Sequence, residues 1–531
     1  AYGDMNSAIS LGQQMLGKLG IRLSDSTATF RTPLVIAKAI YLTLKMNRID
    51  INNIPRMTKP ESLAAMRVLV LMCQAGYLIG DRRTTDYILK ITELSLSEGM
   101  APESSFAYPM FGALIISYFG TIETGYRFGM LATENLTPSN KELHCRTLTL
   151  VNNFILTWKH HIKESLEPLA TAHRIGMETG DIEFALIAAM TGSANAFLLG
   201  HDLNSLDKNL ENYNQTAKDL NQTPMLSLGC IYQQVVRNLL APSGQPWILE
   251  GEFYQESEML PHHMQGGDIT SIATLHIVKL LTAVLFHQNK EALAFAKIAR
   301  SHLHAVASSP SIPFFNLYES LACIGSINEA DGLTRLKLKW RVKRNQRLLR
   351  KWAQHAPHNI LHAYHLVEAE LARVNLESAS AMDHYELAIH YAKSNGFLKD
   401  HGLACELAGR FYYNSNRREL ALFHFSSART SYVRWGSSAK VNALDAEFPG
   451  LNEGMLKDTN LSNSIAAGIN SQNVSRLDTM DLSTVIKASQ VLAGEIILSD
   501  LLEKLMQVAL ENAGAHRACL VLADADTFSV E

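Results

Sequence analysis

The chain has 531 residues, of which 47% are hydrophobic and 19% charged, and 48 Lys plus Arg against 51 Asp plus Glu leave a net charge of -3. That balance excludes an intrinsically disordered chain and gives no global attraction to nucleic acid or anionic membrane. The length suits roughly three to four average domains or one long array, and 15 prolines with 31 glycines are too few for a loop-rich β-sandwich. Six cysteines (Cys73, Cys145, Cys230, Cys323, Cys405 and Cys519) form no CxxC pair and sit mostly among apolar neighbours. Such thiols suit a reducing cytoplasmic setting rather than a zinc ribbon. No uninterrupted apolar run reaches the ~18 residues of a membrane span. The richest, Phe111 to Phe119, contains Ser117 and stops at Gly120. The chain opens on Ala1, without an initiator Met or a basic leader, and so reads as a piece of something longer.

Residues 1–450 read as helix after helix, and the fold class expected is mainly α. Thr58-Lys59-Pro60-Glu61 combines a capping-box spacing with an early proline. The following Leu63 to Ile79 is apolar nearly all round and predicts a buried helix. Farther on, Ile360, Tyr364, Val367, Leu371 and Val374 recur at four, three, four and three, which predicts one apolar stripe.

Glycine punctuation repeats between these stretches. Gly3-Asp4 is followed by Ala8 and Gly12, Gly120-Thr121 by Gly125 and Gly129, and Gly180-Asp181 by Ala185. His384-Tyr385, Ala388 and Gly396 recur forty residues later as His424-Phe425, Ala428 and Gly436. A glycine turn, then a helix with a small residue at a crossing, is how stacked helical hairpins are written. An irregular tetratricopeptide-like α-α superhelix is the expectation.

Residues 451–476 change to Asn, Ser and Gly and read as a linker. Residues 477–496 follow as a connecting helix, with Leu482, Val485, Ser489, Leu492 and Ile496 on a seam that favours a homodimer. Residues 497–531 then add a second amphipathic helix and a strand at Ala518 to Ala523.

Chemistry-bearing motifs are few. There is no GxxxxGK[ST] loop, GxGxxG, HRD, DFG or GxSxG in the chain. His358, His362 and His365 share a helix face and are weighed as metal ligands. Asn359 stands where an HExxH site needs its Glu, and packing at a helix seam is the preferred reading of the three. Glu252, Glu256 and Glu258 in GEFYQESEMLP have no nucleophile near them and read as ion pairs or helix-end contacts. The sharpest charge feature is Arg335, Lys337, Lys339, Arg341, Lys343, Arg344, Arg347, Arg350 and Lys351, with Trp340 and Trp352 interleaved and no acid between Asp331 and Glu368. It reads as a solvated helix with Leu336, Leu338, Val342, Leu348 and Leu349 inward, or as a binding face. Lys339, Arg341, Lys343, Arg344 and Arg347 are the candidate partner-binding residues, with an acidic protein surface preferred over nucleic acid.

Several segments, in order, resemble one bacterial family. They are LAAMRVL (63–69), SSFAYPMFG (104–112), GYRFGMLA (125–132), ETGDIEFA (178–185), GEFYQESEMLP (251–261), WAQHAPHNILH (352–362), LVEAELARV (366–374), RWGSSAKV (434–441), LDTMDLSTVIKASQVLAGEI (477–496) and ENAGAHRACLVL (511–522). The chain looks like the middle of the large hybrid signalling kinases. There a serine/threonine kinase domain precedes an AAA/STAND-type ATPase, a tetratricopeptide-like region, a GAF sensor and often a histidine kinase.

The resemblance implies that 1–450 is the helical region and that 497–531 opens an incomplete α/β GAF domain. It also implies a regulatory, interaction role for the chain within an ATP-dependent signalling kinase of a two-component phosphorelay. The family's catalytic residues, with their ATP and Mg, lie in domains outside this chain, which carries no catalytic, cofactor or metal site of its own. Its partners would be domains of the same protein and other signalling proteins, with no membrane. The alternative is the helical-repeat sensor of an ATPase-type transcription regulator.

Overall fold

The computed structural model describes residues 5–21, 23, 31–48, 54–78, 81, 83–134, 136, 141–241, 244–449, 521–524 and 527–530. They fall into two units, 1–451 and 452–531. The linker and connecting helix expected over 451–496, with the Leu482–Ile496 seam, lie outside the described residues.

The described residues of the first unit are mainly helical. Its opening half runs α1 (Met5–Lys18), α2 (Arg31–Arg48), α3 (Pro60–Leu78), α4 (Thr84–Glu98), α5 (Ser104–Phe119), α6 (Ile122–Glu134), α7 (Lys141–Phe154), α8 (Leu166–Thr179), α9 (Ile182–Leu199) and α10 (Leu203–Asp219). Then follow α11 (Thr223–Leu240), α12 (Glu256–Gly266), α13 (Ile269–Leu285), α14 (Asn289–His302), α15 (Ser311–Gly325) and α16 (Gly332–Ala353). The last five are α17 (Pro357–Val374), α18 (Ser378–Ser394), α19 (Leu398–Asn414), α20 (Arg418–Trp435) and α21 (Ser438–Glu447).

Local sequence explains the boundaries. Helix α3 begins at the predicted Pro60, whose missing N–H costs nothing in a first turn. The Asp202, Asp268 and Asp331 carboxylates accept first-turn N–H groups of α10, α13 and α16. Gly396 and Gly436, the two glycines of the forty-residue echo, both hold positive φ, at 72° and 91°. A side chain there would be strained.

Neighbours in sequence are neighbours in space. Pairs such as α3/α4, α5/α6, α8/α9, α13/α14, α17/α18 and α19/α20 pack face to face, and the odd-numbered helices from α1 to α17 each also touch the next but one. Gly125 and Gly129, two of the glycines the sequence singled out, sit at close crossings. A Cβ on Gly112 of α5 would lie 2.7 Å from the Gly125 carbonyl oxygen of α6, and one on Gly129 would lie 2.5 Å from Ile155.

One hydrophobic core runs from Ile9 to Ala188 and a larger one from Ile162 to Leu444. Trp352 packs against both. Around them the chain ties itself together over long separations. Trp158 Nε1 donates to the Ser308 carbonyl at 2.8 Å, and His161 Nε2 contacts the Asn395 carbonyl at 2.8 Å. Ser437 Oγ donates to the Leu239 carbonyl at 3.2 Å, and α11 packs on α21. A strictly one-dimensional stack would lack these ties.

Among the described residues one helix, α9, is long and apolar enough to cross a membrane by length and composition, and 61% of it is buried inside the protein. It packs on α8, α10 and α11. Helix α13 is buried continuously from Ser271 to Leu285. The apolar stripe expected on α17 turns out rotated: Ile360 and Val367 are buried, but Tyr364, Leu371 and Val374 are half-buried. Ala363, Leu366 and Glu370 fill the seam instead, because α17 meets α15 as well as α16 and α18.

In the second unit, strands Val521–Asp524 and Thr527–Val530 form an antiparallel hairpin, with Val521 opposite Val530 and Asp524 opposite Thr527. The strand expected at 518–523 is described from Val521 onward.

Candidate interaction surface

Helix α16 carries the charge feature of the sequence. On a helix of 3.6 residues per turn, Leu338, Val342, Asn345 and Leu349 share one side. All four are buried, as the apolar reading expects for the three aliphatic ones. Leu336 departs from that expectation, being 65% exposed. The cause lies in the first turns of α16: Gly332 to Lys337 are exposed on every side, so the helix begins beyond the cover of its neighbours.

The five candidate residues all lie on α16 but divide among its faces. Arg341 turns toward α15, where its Nε is 3.8 Å from Glu319. Glu319 is fully buried and also takes Arg300 Nε at 3.1 Å and the Asn345 amide at 2.9 Å. Burial, then the Arg341 and Arg344 charges, lower the Arg300 guanidinium to about 10. One carboxylate therefore faces two arginines, Arg300 and Arg341, and positive charge is in excess there.

Lys339, Lys343 and Arg347 line the opposite edge, with Arg350. They border a groove of about 460 Å³ whose far wall is Tyr364, Glu368 and Leu371 of α17. Gln346 spans its floor, donating to Glu368 at 2.8 Å and to the Tyr364 carbonyl at 3.1 Å. Arg344 points outward, beside the exposed stripe of Leu333, Leu336 and Trp340. Trp352 is packed edge-on against Trp158 with centroids 5.4 Å apart. Only Trp340 is thus interleaved with the basic residues at the surface.

The histidine trio of α17 diverges. His358 stacks on His161 at 5.6 Å, His362 Nε2 lies 3.3 Å from Asp400, and His365 Nδ1 lies 3.0 Å from His384. Among the described residues no group of three His, Cys, Asp or Glu could hold a metal ion. Asn359 has its own role. Its side-chain oxygen accepts the Ile162 N–H at 3.0 Å and its amide donates to the Thr157 and His160 carbonyls, each at 2.8 Å.

Of the three glutamates weighed earlier, Glu256 pairs with the buried Lys279, whose ammonium also sits 4.3 Å above the Phe295 ring. Glu252 and Glu258 are exposed. Glu256 and Lys279 border a cavity of about 770 Å³ with Trp247, Leu260, Pro261 and Phe295 among its walls.

The largest features missed in the sequence are buried charge networks. Glu406 is fully buried and receives Lys440 at 2.9 Å, His287 at 2.6 Å, Arg410 at 3.0 Å and the Tyr432 hydroxyl at 2.7 Å. Asp400 is equally buried and takes Lys399 at 2.6 Å and the Tyr318 hydroxyl at 2.5 Å. A signal existed. Asp400 and Lys440 hold the same place in the forty-residue echo, a charge just inside a helix that follows a glycine turn.

Desolvation disfavours the thiolate at four of the cysteines, of which Cys230 is half-buried and the others buried. Burial pushes Cys145 and Cys405 up to about 12, and Cys230 and Cys323 to about 11.

No protein-family profile matches the chain. A stretch of 154 residues is 27% identical to hybrid signal transduction histidine kinase G of Dictyostelium discoideum. That stretch covers 28% of this chain and 4% of the much longer Dictyostelium protein. The similarity points toward signal transduction.

Proposed function

We propose that this chain is the regulatory, protein-interaction segment of a multidomain signalling kinase. It is a tetratricopeptide-like α-α superhelix followed by the opening of a GAF domain. It couples an ATP- and Mg-dependent kinase or ATPase part to a sensor and histidine-kinase output, in the cytoplasm. The observation that carries the reading is the similarity to the hybrid histidine kinase. Consecutive helix pairs support it, since such pairs build a long surface that can flex between attached domains. The basic helix α16 supports it too, as a surface for signalling partners rather than for chemistry.

The test has two arms. The chain alone is assayed for ATP binding and phosphotransfer, and neither is expected. The intact kinase is assayed with Lys343→Glu and Arg347→Glu together, which should change autophosphorylation in response to stimulus while leaving ATP binding intact. Saturable phosphotransfer by this chain alone overturns the proposal.

A further inference from the structure

We propose that the outer face of α16 docks an acidic amphipathic helix of a partner protein. This rests on the interaction reading above and adds the partner's chemistry. Leu333, Leu336 and Trp340, at i, i+3 and i+7, are 75%, 65% and 64% exposed. That is the anchor spacing by which one helix grips another. The chain has five tryptophans, and Trp158, Trp247 and Trp435 are buried while Trp352 is half-buried. Leaving Trp340 in water forfeits the largest apolar surface any side chain offers, and such a patch on a soluble face marks a contact site.

Charge fixes the sign of the partner. Lys337, Lys343, Arg344 and Arg347 flank the stripe, and none has a carboxylate within ion-pair distance among the described residues. The buried acid Glu319 is already paired with Arg300 and Arg341. A carboxylate-bearing helix would neutralise this row, which Glu residues beside the partner's own leucines could meet at successive turns. From Leu333 to Arg347 the face is about 20 Å long, matching roughly four turns of a partner helix. A membrane surface would need a wider apolar face than three side chains. Nucleic acid would leave the two leucines uncovered.

The test uses the full chain and a fluorescein-labelled model helix of about 20 residues, with Leu at its a and d positions and Glu elsewhere. Its Glu→Lys counterpart is the control. The acidic peptide should bind saturably and shield Trp340 from acrylamide quenching, a difference that disappears in Trp340→Phe. Affinity should fall several-fold between about 50 and about 300 mM salt. Leu333→Ser with Leu336→Ser, and separately Lys343→Glu with Arg344→Glu, should each weaken binding on the order of tenfold. Melting should hold, because all four side chains are exposed.

Absence of saturable binding overturns the inference. So does binding that the variants leave unchanged, or tighter binding of phosphatidylserine vesicles or a DNA duplex. A chain that binds no peptide while kinase coupling survives fails here alone. A chain that binds peptide yet transfers phosphate by itself fails only the signalling reading.

Discussion

Removing the Glu406 side chain should damage the fold severely. Its carboxylate gathers Lys440 from α21, His287 from the turn after α13, Arg410 from its own helix and Tyr432 from α20. Lys440 is 2% exposed. In Glu406→Leu that ammonium stays buried without its ion-pair partner, with Glu447 acting on it only from a distance. Breaking a buried pair from one side costs about 3–5 kcal/mol, whereas replacing both members by apolar groups is often close to neutral. Lys440→Met should cost less, about 1–3 kcal/mol, because His287, Arg410 and Tyr432 still satisfy the carboxylate. The double variant Glu406→Leu with Lys440→Met should fall short of the sum by about 2–3 kcal/mol.

A long helical array does not unfold in one step. Amide hydrogen exchange of α19, α20 and α21 is therefore the assay, supported by urea titration of the fluorescence of Trp435, buried in α20. Two single variants that each cost under about 1 kcal/mol and simply add would refute the reasoning, because the charges would then be solvated in solution.

The pH dependence separates this network from the histidines. Burial raises the Glu406 carboxylate, but Lys440, His287 and Arg410 outweigh it and hold it well below the usual range. A depressed acid contributes fully above its unfolded pKa and is lost only as pH falls through the folded value. Between pH 5 and 8, then, Glu406 adds no slope.

His161, His365 and His401 behave otherwise. Burial in each case lowers the imidazole to about 4. They are neutral in the fold, and the unfolded chain takes up their protons below about pH 6.5. Their contribution is therefore full above about pH 6.5 and lost as pH falls toward 4, so the melting temperature should drop across that window, and His161→Gln with His401→Gln should flatten the drop. Asn359→Ala should cost about 2–3 kcal/mol by stranding the Ile162 N–H and two carbonyls, and Asn359→Asp should be worse, since a carboxylate would face the Thr157 and His160 oxygens; urea titration orders the two. Gly112→Ala should cost about 1–3 kcal/mol, because its methyl would meet the Gly125 backbone rather than a movable side chain; thermal melting decides it, and an unchanged midpoint would show that α5 and α6 can separate freely.

The sequence by itself determined the helical class, because apolar spacing and glycine punctuation are local. Pro60 starts α3, and the forty-residue echo places Gly396 and Gly436 at left-handed turns and buries Tyr385, Ala388, Phe425 and Ala428. It also isolated α16, since a run of basic residues without an acid is visible in one dimension. What it left undecided is which face of a helix meets which neighbour. The apolar pattern turns Leu336 inward with Leu338, and only the exposure of the first turns of α16 separates them. The histidines of α17 share a face in sequence, yet each finds a partner on a different element. Glu406 and Asp400 look like ordinary surface acids along the chain. They stay buried because imidazoles, tyrosine hydroxyls and, for Glu406, Lys440 converge on them from segments tens of residues away, and such convergence is a property of tertiary packing alone.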